Sequence, residues 1–269
     1  MSAPKNPWVK RSLELANSQG YLDRLAEIYP ATVLPRRPLD EGVREKLKAL
    51  HQRGDWSGLL NLLLKLTDEG HPFPIEHPYA SIFRQKRELV RKNPETVRRL
   101  GEIILSMPVE DVVRGCERPA DINRVMGSAF QNWLRRAFPS WGIPVLPEPQ
   151  FETYRGLCFL DARNTAIQNY VTNRLGVKLE RGRDFLAKVR GGYVVGEARF
   201  LSTSGGSQTR DLLETIGFIK TVKGGVQAVG VMDGIVWFNR KYVRVLSELG
   251  EGEVVLTALL LKDFLKSLG

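Results

Sequence analysis

Residues 182–201 read Gly182-Arg183-Asp184-Phe185-Leu186-Ala187-Lys188-Val189-Arg190-Gly191-Gly192-Tyr193-Val194-Val195-Gly196-Glu197-Ala198-Arg199-Phe200-Leu201. Two runs rich in β-branched and aromatic residues, Phe185–Val189 and Tyr193–Leu201, flank Gly191-Gly192, a hairpin signal. With the glycine pair as a two-residue turn, Arg190 faces Tyr193, Asp184 lies opposite Arg199, and Glu197 lies diagonally opposite Asp184. Side chains alternate along a strand, so Asp184, Glu197 and Arg199 share one face. Directly opposed Cβ atoms sit about 5 Å apart and diagonal ones about 7–8 Å apart. Two carboxylates at that separation can share a divalent cation, and oxygen-only ligation suits Mg²⁺ better than zinc. Arg199 would add a fixed positive charge where a reacting phosphoryl group gains negative charge.

Plainer readings stand beside this one. A cross-strand salt bridge between Asp184 and Arg199 explains the same residues without catalysis. An acid-x-base tripeptide is expected by chance roughly four times in a chain with 40 basic and 30 acidic residues among 269. Two occur, Glu197-Ala198-Arg199 and Asp161-Ala162-Arg163. The second also follows an apolar run, Leu157 to Leu160, and has Glu152 upstream.

Around the hairpin the pattern is mixed. A helix is predicted from about Thr165 to near Gly176, and another from Ser207 to Val222. Val226–Met232 and Ile235–Phe238 flank Asp233-Gly234, a second hairpin signal, and Thr257–Leu268 reads as a closing helix. Upstream, residues 139–150 hold four prolines and read as a connection, with a long helix over 119–138 before it. Its buried side would carry Ile122, Val125, Met126, Phe130, Trp133 and Leu134. Residues 8–105 read as helical, with a stripe of Leu13, Leu15, Leu22, Leu25 and Ile28 continued by the leucines between 47 and 66. His71-Pro72 and His77-Pro78 make 70–78 a loop, and Asn93-Pro94 looks like an N-cap followed by proline at N1. The expected organisation is a helical part over 1–138, the proline-rich connection 139–150, and an α+β part over 151–269. The two parts are also compatible with one domain.

Composition narrows the class. The longest apolar stretch, Val254 to Leu261, is far short of the roughly twenty residues that span a bilayer, and the first residues lack an apolar signal core. Two cysteines, Cys116 and Cys158, give neither a disulfide framework nor zinc spacing. A cytoplasmic protein is expected. The formal charge of +10 divides evenly, 23 basic against 18 acidic residues over 1–150 and 17 against 12 over 151–269. An evenly basic body suits a polyanionic partner, or is simply a basic surface. The seven basic residues between Arg84 and Arg99 are likewise a phosphate-facing candidate or a solvated helix face. No Walker A, dinucleotide-binding glycine motif or nucleophile elbow is present, so no nucleotide cofactor is expected. The three histidines have no cysteine or acidic cluster at ligand spacing. Carboxylate chemistry remains.

At these residues the chain resembles type II restriction endonucleases of the PD-(D/E)xK nuclease superfamily. That family sets an Asp at the start of one strand and a Glu-x-Lys on the next; Asp184 and Glu197-Ala198-Arg199 match, with Arg in the lysine's place. Gly196 to Leu201 followed by Gly205-Gly206-Ser207-Gln208 looks like a subgroup with a GEAKFL…GGxQ signature, as do Asn123-Arg124 with Gly127, Phe130 and Trp133, and Asn93-Pro94 with Thr96. The resemblance implies an α/β/α-type restriction-endonuclease core with a mixed sheet, a prokaryotic source, a homodimer on a nearly palindromic duplex, and Mg²⁺-dependent hydrolysis of DNA phosphodiesters. It implies Asp184, Glu197 and the Ala198 carbonyl as metal ligands and Arg199 as a catalytic residue. Arg199 cannot serve as a base, because a guanidinium does not lose its proton, but it can hold the phosphate and stabilise the transition state. Gln208 and Arg210, at a helix start, and Arg124, on the long helix, are candidate DNA contacts; each is equally readable as a structural residue. Two other functions fit the same residues. One is a DNA-binding protein that keeps the nuclease fold without cutting, and the other is a structure-selective nuclease of the junction-resolvase kind.

Overall fold

The structure, a computed structural model, describes residues 4–30, 36–119 and 122–269, and of 122–124 the backbone alone. The chain opens with α1 (Pro7–Ala16) and α2 (Tyr21–Ala26). Asn6 caps α1 by accepting the amides of Trp8 and Val9 at 3.0 and 3.1 Å, with Pro7 at the first helical position. Six helices follow: α3 (Glu41–Gln52), α4 (Trp56–Asp68), α5 (Pro78–Gln85), α6 (Glu88–Lys92), α7 (Pro94–Leu105) and α8 (Val109–Cys116). The rest runs α9 (Ile122–Ser140), β1 (Val145–Leu146), α10 (Glu148–Thr153), β2 (Cys158–Leu160), α11 (Asn164–Asn173), β3 (Phe185–Val189), β4 (Gly192–Leu201), α12 (Gly206–Thr221), β5 (Val226–Gly234), α13 (Arg240–Ser247), β6 (Val254–Leu256) and α14 (Leu261–Ser267).

Two compact units result. Residues 1–32 and 122–269 form one, and residues 33–121 the other. The proline-bearing stretch 139–150 therefore lies inside the first unit, and the prolines are absorbed by the end of α9, by β1 and by the start of α10. The second unit is all helical around its own core, in which Leu47, Leu59, Leu60, Leu63, Leu100 and Ile104 are fully buried. Asn93 precedes α7 as expected, but its side chain turns back to donate to the Leu89 carbonyl at 2.8 Å and does not cap the helix.

The first unit is α+β. Its six-stranded sheet has the order β1-β2-β3-β4-β5-β6; β2–β3 and β3–β4 are antiparallel, and β1–β2, β4–β5 and β5–β6 are parallel. The parallel β4–α12–β5 crossover follows the antiparallel hairpin. Apolar side chains of α12 (Leu212, Ile216, Ile219) and of α9 (Phe130, Leu134, Phe138) join the sheet in one core. Gly230 on β5 lets α12 approach closely, since a Cβ there would sit 2.7 Å from Thr215. Phe200, on the opposite face of β4 from Glu197, packs on Tyr29 at 4.8 Å. Leu22, expected in the buried stripe, is exposed, because Tyr21 and Leu25 take the inward positions of α2.

Two turn readings are corrected. Val189 pairs with Gly192, so the hairpin turn is Arg190-Gly191 and not Gly191-Gly192. Gly191 takes the left-handed conformation (φ +86°), whereas Gly192 already belongs to β4 and lets the Gly225 carbonyl approach to within 2.6 Å of where a Cβ would be. The slip is by two positions in the pairing sum, so every side chain keeps its face. The pairing begins with Phe185 opposite Gly196, and Asp184 lies one residue before β3. Asp233-Gly234 is no hairpin at all. β5 runs through both residues beside Phe200 and Leu201 and ends in a single 3₁₀ turn, Ile235–Trp237. Gly234 (φ +86°) is required because the Leu201 carbonyl fills the space of its missing Cβ.

Candidate active site

The site is built on the carboxyl end of β4 and the irregular segment that enters β3. Alternation along β4 turns Glu197 into the sheet face covered by α12, where it is 3% exposed. A carboxylate so buried needs cationic partners, and it has three. Arg181 donates to Oε1 at 2.6 Å, Arg183 to Oε2 at 2.7 Å, and Arg199, two residues along the same strand, to Oε1. Arg183 is itself buried, its guanidinium lying over the Phe218 ring at 3.9 Å. Burial holds the Arg183 pKa below the ordinary arginine value, against the pull of Glu197; the group stays charged. Arg181 reaches outward as well, to Glu214 on α12 at 2.9 Å. Gly182, between the two arginines, lets the segment lie against α11, for a Cβ there would collide with Asn164 at 2.7 Å.

Asp184 has a different environment. Its amide continues the β3–β4 ladder by donating to the Gly196 carbonyl at 2.9 Å, and its Oδ2 accepts the Ala198 amide at 2.7 Å. Oδ1 accepts from the Gln131 amide at 2.9 Å and the Asn164 amide at 3.3 Å, and Gln131 also donates to Asn164 at 2.8 Å. The Asp184–Arg199 salt bridge of the plainer reading is not formed: Arg199 turns to Glu197, and Asp184 is held by uncharged donors. Gln131 on α9 and Asn164 on α11 carry no sequence signal; they are lone amides that only tertiary packing brings to the acid.

Two of the clefts beside the hairpin adjoin its acids. One, of about 640 Å³, is lined by Lys178, Arg181, Arg183, Glu214 and Phe218. The other contains Gln131, Arg135, Asp161, Arg163, Asn164 and Asp184. The rival pair Asp161 and Arg163 therefore opens onto the same cleft as Asp184. Among the described residues no group of three or more His, Cys, Asp or Glu side chains comes together at metal-ligand range. Any cation here would find at most two carboxylates and backbone carbonyls, with water and substrate supplying the rest. That is an oxygen donor set of the kind Mg²⁺ accepts, and three guanidinium groups compete for one of its acids.

The remaining candidates are dispersed. Gln208 is buried, accepting the Thr203 amide at 3.0 Å and donating to Ser202 Oγ at 3.0 Å, so its amide faces the loop before α12 and not solvent. Arg210 is exposed on α12, 3.7 Å from Glu214. Arg124 lies on α9, and its side chain is outside the described residues. On the opposite face of the sheet stands an acid that sequence reasoning took for a turn residue. Asp233 is fully buried, accepting from Thr257, from Tyr21 at 3.2 Å, from Tyr29 at 3.0 Å and from the Ala258 amide at 3.2 Å. Burial pushes its pKa up to about 6 against the lowering effect of these donors.

No helix among the described residues is long and apolar enough to cross a membrane. No curated protein and no solved structure matches the chain. A family model does, over residues 6–268, both compact units included. This match places the chain: it belongs to the Tsp45I type II restriction enzyme family.

Proposed function

We propose that the chain hydrolyses duplex DNA at a specific sequence in a Mg²⁺-dependent reaction, as a homodimer, from a PD-(D/E)xK-type site at Asp184, Glu197 and Arg199. The family supports a restriction endonuclease acting on DNA. The observation that carries the site is the bond from the Ala198 amide to Asp184 Oδ2, which ties this acid to the stretch of β4 that carries Glu197 and Arg199. Asp184, Glu197 and the Ala198 carbonyl would hold the cation. Bound there, Mg²⁺ would polarise the phosphate and make water a better nucleophile. Asp184 is oriented by two amides and a backbone N–H. Arg199, permanently charged and about one third exposed, would exchange Glu197 for the scissile phosphate and stabilise its developing charge. Arg210 and Arg124 are proposed contacts to the duplex, and Gln208 orders the loop that precedes α12.

A digest of plasmid DNA with Mg²⁺, against EDTA, tests the reaction, and sequencing the cut ends tests its specificity. Recurrent ends in Mg²⁺ alone are expected. Asp184→Ala and Glu197→Ala should each remove cutting and keep duplex binding, since phosphate neutralisation elsewhere supplies most of the affinity. Full cleavage by both variants would overturn the site and direct attention to Asp161 and Arg163. A second reading, a DNA-binding protein that does not cut, is favoured by one observation, the occupation of Glu197 by three guanidinium groups. Sequence-specific binding without any cutting in Mg²⁺ would establish it.

A further inference from the structure

Beyond the hairpin, the segments leaving β4 and β5 meet in a cleft of about 500 Å³. Ser204 and Thr209, at the start of α12, form one wall; Asn239, Arg240, Lys241 and Tyr242, at the start of α13, form the other. The cleft lies outside the carboxyl ends of two parallel strands, where open α/β sheets place their ligands. It stands at the same end of β4 as Glu197 and Arg199.

Its charge sets it apart from the two clefts beside Glu197 and Asp184. Those contain carboxylates, Glu180 and Glu214 in one and Asp161 and Asp184 in the other, whereas no acidic residue lines this one. Arg240 and Lys241 are exposed and make no ion pair among the described residues, and Arg244 follows on the next turn of α13, exposed as well. The first turn of α13 holds no acid, and Asn239 fixes its direction by accepting the amides of Lys241 and Tyr242 at 2.9 and 3.3 Å. Thr209 and Tyr242 join the two walls through their hydroxyls at 2.9 Å. Exposed cations on a fixed helix start, with neighbouring hydroxyls and no competing carboxylate, match a row of phosphates.

We infer that this cleft is a DNA-backbone contact, in which Arg240 and Lys241 take phosphates of the duplex beyond the scissile step. The inference rests on the nuclease reading, because it names a surface by which that substrate is held. A flexible, unpaired cation costs little to move onto a phosphate, so α13 would supply affinity and register and not base reading.

Affinity for a mixed-sequence duplex, measured over a series of KCl concentrations, tests it. Wild-type protein should show a linear fall of log affinity with log salt, and Arg240→Ala/Lys241→Ala should lower that slope by roughly 0.9 for each phosphate contact removed. Arg190→Ala/Lys266→Ala is the control, with the same loss of charge; Arg190 belongs to the hairpin turn, at the opposite end of β4. Its slope should stay with the wild type. All four side chains are exposed, so thermal melting should show each variant folded. Equal slopes for the two double variants would overturn this surface and leave the nuclease reading intact. Wild-type protein without salt-dependent duplex binding would overturn both.

Discussion

Two acids lie buried on neighbouring strands and opposite faces of one sheet, and they are treated in opposite ways. Glu197, on β4, is met by three guanidinium groups. Asp233, on β5, is met by three hydroxyls and one amide and by no cation. Hydroxyls stabilise a carboxylate less than cations do, and burial raises the pKa of Asp233 to about 6. Its donors come from α2, from Tyr29 just beyond it and from the two residues that follow β6, so it pins these segments to β5. Two of the cations on Glu197 are partly exposed: the Arg181 side chain is 40% and the Arg199 side chain 32% accessible. Groups that can leave for an incoming phosphate are what a substrate site requires. The contrast separates an acid held by cations from one held by hydroxyls within a single core.

The largest effect should come from removing the charge of Glu197. Glu197→Gln leaves Arg183 buried at 5% exposure with its charge unpaired, and loss of one partner of a buried pair costs about 3–5 kcal/mol. Asp233→Asn at neutral pH removes a charge that burial disfavours, and should cost far less. Urea denaturation of the two variants measures the difference. Equal losses would mean that the guanidinium cluster is no more charged in effect than the hydroxyl cluster. The second effect is kinetic. Arg199→Ala should slow single-turnover cleavage by about 10²–10³, and Arg199→Lys should keep substantial activity because a cation remains. An unchanged rate in Arg199→Ala would reduce Arg199 to a brace for Glu197.

Much of this arrangement could be read from residues 182–201 and some of it could not. The hairpin and α12 follow from the pattern, and a slip of two positions leaves the face of every paired strand residue intact. Glu197 and Arg199 meet on that face, whereas Asp184 lies just before β3 and turns to Gln131 and Asn164. The partner of each acid was not legible. Arg181 and Arg183 stand in an irregular segment without periodicity, and Gln131 and Asn164 arrive from helices far along the chain. Asp233 was misread for a specific reason. Asp-Gly is a strong turn signal, yet here the aspartate is held by Tyr21, Tyr29 and Thr257, more than 200 residues away in two cases, and the glycine is demanded by the Leu201 carbonyl. Tertiary contacts overrode a local preference.

A third effect sharpens the comparison through pH. Asp233 holds its proton up to about pH 6 in the folded chain, whereas an unfolded aspartate releases it near pH 4. Between those values folding takes up a proton, so the stability contributed by this group falls as pH rises through the window, by about 3 kcal/mol in all. The difference in unfolding free energy between wild type and Asp233→Asn should therefore decline from pH 4 to pH 6 and then level off. A flat difference would show that Asp233 ionises as freely as an exposed carboxylate, and the pin would then be a plain ionised acid.

The smallest effect concerns one donor of the pin. Oδ2 of Asp233 accepts from the Tyr29 hydroxyl and the Ala258 amide, so Tyr29→Phe leaves that oxygen one partner. The phenyl ring still packs on Phe200 and Phe130, which makes the hydroxyl the only loss. A hydrogen bond to a charged group is worth about 2 kcal/mol and one to a neutral group about 1. Well above pH 6, where Asp233 is ionised, the variant should lose about 2 kcal/mol; well below pH 6, where it is protonated, about 1. Removing a donor to the charged form should also move the titration of Asp233 upward, which carboxyl-carbon NMR would detect. A loss of the same size on both sides of pH 6, with the titration unmoved, would mean that the Tyr29 hydroxyl does not sense the charge on Asp233, and the division of the two acids by the kind of donor they keep would fail at this residue.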